Sequence, residues 1–437
     1  MNVWIQTLGC DKNTADSSSL GGLLRESGAT LVSGPDEADL VVVNTCGFIL
    51  PAKEESIGAL LDAVALKADR PELKVVAVGC LVQKHLEELR REIPELDGFF
   101  GVHDPEGMMT LIETVGSGRR DDRMGPKRLD GGQAFPQDVR GVSAYLKIAD
   151  GCDTRCTYCT IPDIKGPYVS RRPEVVLAEA RALARAGVRE LILVAQDTTR
   201  YGTDLPWQVD LADLLRELCT IEPLRWIRIL YAYPDHLSDK LLETMAAEPK
   251  ICHYLDIPFQ HADDDVLRRM GRRQTRRDLL ALVQRVRRAI PDGAIRSTMI
   301  VGFPGETGEA FDRLLSFLEE ARLDWVGAFP YSCEEGTPAA RYPDQVPDAR
   351  KQKRYQQMML TQKSITARGL MSRVGQTLEV LVEEEVEPGL WQGRSQQMAP
   401  DVDGVVWVQS EQPLAIGTFI PVAITHSLDY DLIGEAV

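Results

Sequence analysis

The chain has 437 residues, 50 of them basic and 66 acidic, for a formal net charge of −16. Apolar residues make up 44% and charged residues 27%, beside 35 glycines and 25 prolines. That composition can bury several cores, at roughly 150 residues per domain about three of them, and excludes a disordered or collagen-like chain. No stretch nears the roughly 18 consecutive apolar residues that span a bilayer, and the opening MNVWIQTLGC has no basic segment before an apolar one. The expectation is a soluble cytoplasmic protein with no membrane contact. Its acidic balance favours a basic partner over one held through phosphates.

Residues 1–103 read as alternating strand and helix. Asn2 to Leu8, Asp39 to Thr45 and Lys74 to Gly79 are predicted strands; Thr14 to Ser27, Glu54 to Leu66 and Leu81 to Arg91 are predicted helices. Apolar strands separated by helices imply a parallel sheet covered on both faces, hence an α/β domain. Residues 104–140, with GSGRRDDRMGPKR and GGQAFPQD, have the composition of a linker. Residues 141–369 alternate again. Strands are expected at Ser143–Ile148, Leu191–Ala195, Trp226–Leu230, Tyr254–Ile257, Ala294–Ile300 and Trp325–Phe329. A helix runs from Pro173 to Ala186, a long one with a break at Gly271 from Asp263 to Ile290, and one over 349–369 leads out. Six such strands predict a partial (β/α)6 barrel. Residues 370–437 change character. Five short strands, at Thr377–Glu383, Leu390–Gly393, Val405–Val408, Phe419–Ile424 and Leu432–Val437, predict a five-stranded antiparallel β-barrel.

Nine cysteines in a cytosolic chain point to metal or redox chemistry before disulfides. Cys152, Cys156 and Cys159 have the spacing C-x3-C-x2-C, directly after a predicted strand. Three thiolates in eight residues suit an iron–sulfur cluster, which leaves one iron of a [4Fe–4S] cube open. The alternative, a zinc site, usually draws on two separated C-x2–4-C pairs and fits this triplet poorly. The stretch YLKIADGCDTRCTYCTIP resembles the cluster-binding loop of the radical S-adenosylmethionine (SAM) superfamily. That resemblance implies that the open iron binds SAM and that its reductive cleavage yields a 5′-deoxyadenosyl radical. Tyr158 and Gln196 are then candidate SAM contacts, Gln196 having a simple loop cap as its alternative. The other predicted strand ends carry Tyr231 to Pro234, Pro258 to His261, Gly302 to Glu306 and Tyr331-Ser332. His261 reads as a satisfied structural histidine, and Gly302 to Glu306 serves equally well as a plain turn.

Cys10, Cys46 and Cys80 share no short motif, but each follows an apolar strand: TLGC, VVNTC, AVGC. In a parallel sheet such strand ends lie on one edge, so three thiols are expected together as a second cluster site rather than as three small core residues. Cys219, Cys252 and Cys333 are assigned to packing. The segments QTLGCDKN, VVNTCGFI and AVGCLVQ resemble the N-terminal domain of the radical SAM methylthiotransferase family, and the last domain resembles a TRAM domain. The resemblance covers essentially the whole chain. It implies two [4Fe–4S] clusters, SAM used for both radical and methyl group, an electron donor and a sulfur source, with no catalytic residue beyond the cluster ligands.

The family has a MiaB branch, which modifies an adenosine of tRNA, and a RimO branch, which modifies the β-carbon of an aspartate on the twelfth small-subunit ribosomal protein. WQGRSQQMAPDVDG and SLDYDLIGEAV resemble the RimO branch, as does GCDKN, although Asp11 stands where that branch is expected to have Pro. From residue 370 on, eleven acidic residues face two basic ones, Arg373 and Arg394. Such a field suits a basic protein and would repel phosphates; plain solubility is the simpler reason for it. Against this, Arg268, Arg269, Arg272, Arg273, Arg276, Arg277, Arg285, Arg287 and Arg288 can grip RNA or pair with surface carboxylates. The reading is a ribosomal-protein methylthiotransferase without stable nucleic-acid binding. A tRNA methylthiotransferase is the first alternative and a non-catalytic iron–sulfur carrier a remote one.

Overall fold

The computed structural model describes residues 1–102, 104–125 and 131–437. Near the N-terminus, strands β1 (Asn2–Thr7), β2 (Thr30–Leu31), β3 (Leu40–Thr45), β4 (Lys74–Gly79), β5 (Gly98–Phe100) and β6 (Asp121–Arg123) alternate with helices α1 (Asp11–Glu26), α2 (Leu50–Ala65), α3 (Cys80–Glu92) and α4 (Pro105–Gly116). The sheet order is β2-β1-β3-β4-β5-β6, every pairing parallel. β3 is buried along its whole length, because helices cover both faces, so a continuous apolar run serves it better than alternation.

The segment 104–140 corrects the sequence expectation of a linker. Asp104 caps α4 through its side chain, and β6 adds the sixth strand beside β5. β6 is the tripeptide DDR, with no apolar residue for a pattern to detect. Residues 126–130 of the expected linker lie outside the described residues.

The central region contains β7 (Ser143–Lys147), β8 (Ala149–Asp150), α5 (Ile161–Lys165), β9 (Val169–Ser170), α6 (Pro173–Arg185), β10 (Glu190–Val194), α7 (Leu211–Cys219), β11 (Trp226–Ile229), α8 (Asp239–Ala247), β12 (Tyr254–Asp256), α9 (Asp264–Arg269), α10 (Arg276–Ala289), β13 (Ala294–Val301), α11 (Gly308–Ala321), β14 (Trp325–Pro330) and α12 (Asp348–Met371). β7, β10 and β11 form one parallel ladder and β12, β13 and β14 another. A bridge between Ile227 and Ile251 joins them, giving the open six-stranded partial barrel. Period-two alternation sorts the strand residues. Leu191 and Leu193 pack with the helices outside. Ile192, Val194, Trp226 and Tyr254 face the lumen, where they join Ala15 of α1 and the core of the last domain.

That last domain is a closed barrel of β15 (Thr377–Glu387), β16 (Leu390–Ser395), β17 (Val406–Gln409), β18 (Phe419–Ser427) and β19 (Leu432–Ala436), in the order β15-β16-β17-β19-β18. Four of its pairings are antiparallel, and the closing pair of β17 with β19 is parallel. It docks beneath the lumen. Glu190 accepts from Arg228 at 2.7 Å and from Arg394 at 2.5 Å, Tyr254 donates to Asp403 at 2.6 Å, and Trp325 Nε1 donates to Gln397 O at 2.8 Å.

Candidate active site

The N-terminal cysteines come from three neighbouring strands. Cys10 caps α1, Cys46 follows β3 and Cys80 opens α3. Glycines make their close approach possible. Gly9 has φ +91°, and a Cβ there would stand 2.6 Å from Cys46 Cβ and 2.9 Å from its Sγ. A Cβ on Gly47 would meet the Leu81 backbone at 2.9 Å, and Gly79, at φ +99°, would meet Asn44 Oδ1 at 2.5 Å. Asn13 ties the three strand ends together. Its Nδ2 donates to Leu8 O at 2.8 Å and Thr45 O at 3.2 Å, and its Oδ1 accepts from Cys80 Sγ at 3.9 Å. Two of the thiols sit at helix N-termini, where unspent N–H groups and the helix dipole favour negative charge. Burial nevertheless pushes Cys80 up to about 12, with Cys10 and Cys46 adding to the rise, and burial also raises Cys46.

The second set lies across the interface, in the loop between β8 and α5. Gly151, at φ +80°, brings the chain against Pro167. Cys152 N donates to Gly166 O at 3.1 Å, and Cys159 N to Cys156 O at 3.1 Å. The loop is pinned from outside: Thr157 N donates to Met270 O, Thr157 Oγ1 to Arg269 O, and Ala339 N to Thr157 O. Burial raises Cys152 and pushes Cys159 up to about 12, to which Cys156 and Cys152 contribute.

Both sets fit iron–sulfur clusters. A bound metal centre would deprotonate its thiol ligands outright, whatever burial does to them without metal. Among the described residues no three Cys, His, Asp or Glu side chains form a ready-made group around a single ion. A cube, whose separate irons each take one thiolate, asks for a wider spacing than zinc does.

Tyr158 and Gln196 both lie at this loop. The Tyr158 ring meets Phe303 edge-on at 6.4 Å, and its hydroxyl accepts from Arg272 Nη2 at 3.4 Å. Gln196 Nε2 donates to Asp150 Oδ1 at 2.7 Å, while its Oε1 is buried with no protein partner. By sequence, Arg272 groups with the other arginines between 268 and 288. It is instead a buried loop residue stacked on Tyr233 at 4.8 Å and near Cys156, with Nε and Nη1 unpartnered. Unspent donors and an unspent acceptor beside the loop match a ligand carrying a carboxylate and an amino group, as SAM does. The other arginines do not form one helix: Arg268 and Arg269 end α9, while Arg276 and Arg277 begin α10. Arg268, Arg269, Arg276 and Arg285 pair with Asp265, Asp344, Glu320 and Asp239.

A buried ionic bridge joins the two halves. Lys147 contacts Asp16 and lies 2.9 Å from Asp150; Lys165 lies 3.4 Å from each of these carboxylates. Burial opposes charge on Asp16, yet Lys147 and Lys165 hold it below the usual carboxylate range. Asp150 and Asp16 likewise hold Lys165 well above an ordinary lysine against the effect of burial. Neither lysine was singled out from sequence, since lone lysines in a strand and a short helix carry no motif.

His261 is fully buried, accepts from Asp263 N through Nδ1 at 2.9 Å and faces Glu306 at 3.4 Å, a structural role. Cys252 is buried and Cys219 partly so, but Cys333 is exposed, which corrects its assignment to packing: it stands past β14, at the open rim.

Comparison with known proteins agrees with this layout. Residues 146–318 match the radical SAM superfamily, 2–101 the uncharacterized protein family UPF0004, and 374–437 the TRAM domain. The "Ribosomal protein uS12 methylthiotransferase RimO" of Heliobacterium modesticaldum is 45% identical over 439 residues, covering 100% of this chain and 95% of that protein. The protein of the same name in Moorella thermoacetica is 46% identical over 439 residues, covering 100% and 99%. Among solved structures, the radical SAM methyltransferase TsrM from Kitasatospora setae aligns with a TM-score of 0.59 at 15% identity, over 77% of this chain and 73% of that one, a likeness of fold alone. With full-length relatives at this identity and all three domain matches in order, the chain belongs to the RimO family of radical SAM methylthiotransferases.

Proposed function

We propose that this enzyme converts a β-carbon C–H of an aspartate on ribosomal protein uS12 to C–SCH3. The observation that carries the reading is the placement of two three-cysteine sets on facing edges of two domains, locked by the Asp16–Lys147–Lys165–Asp150 bridge. When bound, a cluster with SAM on Cys152, Cys156 and Cys159 supplies a radical that removes the hydrogen, and a cluster on Cys10, Cys46 and Cys80 supplies the methylthio group. Arg272 and Gln196 orient SAM through their unspent buried atoms, Arg272 at its carboxylate. Tyr158 buttresses the loop between Phe303 and Arg272. The lumen floor is closed by the TRAM barrel and its upper side by α1 around Ala15, which keeps water from a reactive carbon radical.

We further propose domain limits near residues 140 and 370, a cytoplasmic setting, and a separate electron donor and sulfur source. The exposed acids Glu384, Glu385 and Glu387 on β15 steer a basic substrate protein. The test is parallel turnover of anaerobically reconstituted enzyme on unmodified uS12 and unmodified tRNA, read by mass spectrometry. Methylthio addition to an aspartate of uS12 supports the reading; addition to tRNA alone refutes it. Cys156→Ala should abolish SAM cleavage. Cys46→Ala should keep cleavage and lose methylthiolation, and a Cys46→Ala enzyme that still methylthiolates would remove Cys46 from the second site.

A further inference from the structure

The acceptor aspartate carries its carboxylate on the very carbon that loses hydrogen. A group that binds this carboxylate must therefore stand between the two cysteine sets with charge to spare. Most cations there are committed. Lys147 and Lys165 are held by Asp16 and Asp150, and Lys53 by Glu334 at 2.6 Å. Arg272 stands on the Cys156 side, against Tyr158 and Tyr233.

Lys12 differs. It follows Asp11 and Cys10 directly in the chain. Its Nζ rests 3.1 Å above the centre of the Tyr231 ring, and no carboxylate among the described residues lies within ion-pair distance of it. Asp11, its neighbour, is spent elsewhere, accepting from the Tyr231 hydroxyl at 2.7 Å.

Tyr231 is itself a built platform. It follows β11 with φ +61°, a left-handed conformation that is strained for an aromatic residue and persists where its surroundings over-determine it. Its N donates to Asp256 Oδ2 at 3.2 Å, and its carbonyl accepts from Thr198 N at 3.1 Å and Thr198 Oγ1 at 3.2 Å. A cation on an aromatic face is held weakly, so that it can exchange the ring for a charge-assisted hydrogen bond to a carboxylate. The compact ammonium on its flexible stem suits that exchange.

Resting on the function proposed above, we propose that Lys12, parked on the Tyr231 ring, is the residue that binds the side-chain carboxylate of the acceptor aspartate and so selects aspartate over its amide.

The test uses full-length reconstituted enzyme and two forms of uS12, with Asp or with Asn at the acceptor position. Binding is measured by titration in the presence of SAM without reductant. Wild type should bind the Asp form about tenfold or more tightly than the Asn form; K12M and K12Q should bring the ratio close to one, and K12R should restore part of it. Iron content and cluster EPR spectra are recorded on the same samples. An undiminished preference for Asp in K12M overturns the assignment. So does an equal loss of affinity for both forms accompanied by loss of the cluster signals, which would mark a structural role. Wild type that binds neither form and methylthiolates tRNA instead overturns the functional reading itself, and this assignment with it.

Discussion

Gly9 holds the Cys10 loop against Cys46 sterically. Its φ of +91° costs any other residue, and an added methyl would lie 2.6 Å from Cys46 Cβ. Gly9→Ala should therefore destabilise the chain by about 1–3 kcal/mol and push Cys46 away from Cys10. Iron analysis after reconstitution should show roughly half the wild-type content, since a cube takes its own set of thiolates, while the cluster on Cys152, Cys156 and Cys159 stays able to cleave SAM. A full complement of iron would show that the Cys10 loop can yield. Asn13, which links Leu8, Thr45 and Cys80, is not legible in the sequence. An asparagine three residues into a helix has no distinguishing spacing.

At the scale of elements, α1 does two jobs. Its N-terminus carries Cys10, and its buried side presents Ala15 and Asp16 to the central barrel. Asp16→Asn would remove the Asp16 charge from the bridge and replace one of the two oxygens that Lys147 and Lys165 contact with an amide NH2. The expected loss is about 1–3 kcal/mol, the cost of a buried donor losing its acceptor. It should appear as faster hydrogen exchange confined to α1 and the start of α5, with the TRAM barrel unaffected. Exchange unchanged in α1 would mean that the apolar contacts alone hold it.

Across the whole molecule, the TRAM barrel is fastened through Glu190, with Arg228 and Arg394 around it. Burial works against its ionisation, but the two guanidinium groups hold its pKa down at about 2, against an ordinary 4.5. Between these values the unfolded chain binds the extra proton. The ion pair's contribution is thus complete above pH 4.5 and is lost as pH falls toward about 2. Denaturant titrations across that window should show stability falling with acid, and Glu190→Gln should flatten that fall. At neutral pH the same variant should lose about 3–5 kcal/mol, because buried Arg228 loses its carboxylate partner and Arg394 is left with Glu383 alone. The acidic face of the barrel is smaller than a residue count implies. Glu383 is paired with Arg394, Glu379 with Arg225 and Asp429 with Lys363, while Asp403 is buried against Tyr254. The exposed remainder includes Glu384, Glu385 and Glu387. Changing those three to lysine should slow association with the basic substrate about tenfold or more at low salt and little at high salt, because steering is screened. Equal rates at low salt would rule out steering by this face.

The sequence by itself determined the local elements and their chemistry. Apolar runs of strand length, glycines after them and C-x3-C-x2-C are local signals, and local signals survive without a fold. That Cys10, Cys46 and Cys80 share an edge also followed from sequence, since strand direction in a βαβ unit places such ends together. Only the tertiary structure decided the neighbourhood of each. It set β1, β3 and β4 side by side, buried Arg272 while its neighbouring arginines paired at the surface, made the polar tripeptide DDR a sheet strand, and brought Lys12 onto Tyr231 across two domains. Those outcomes depend on which surfaces exclude water together and which charges meet there, and pairings between residues hundreds of positions apart leave no mark on either local segment.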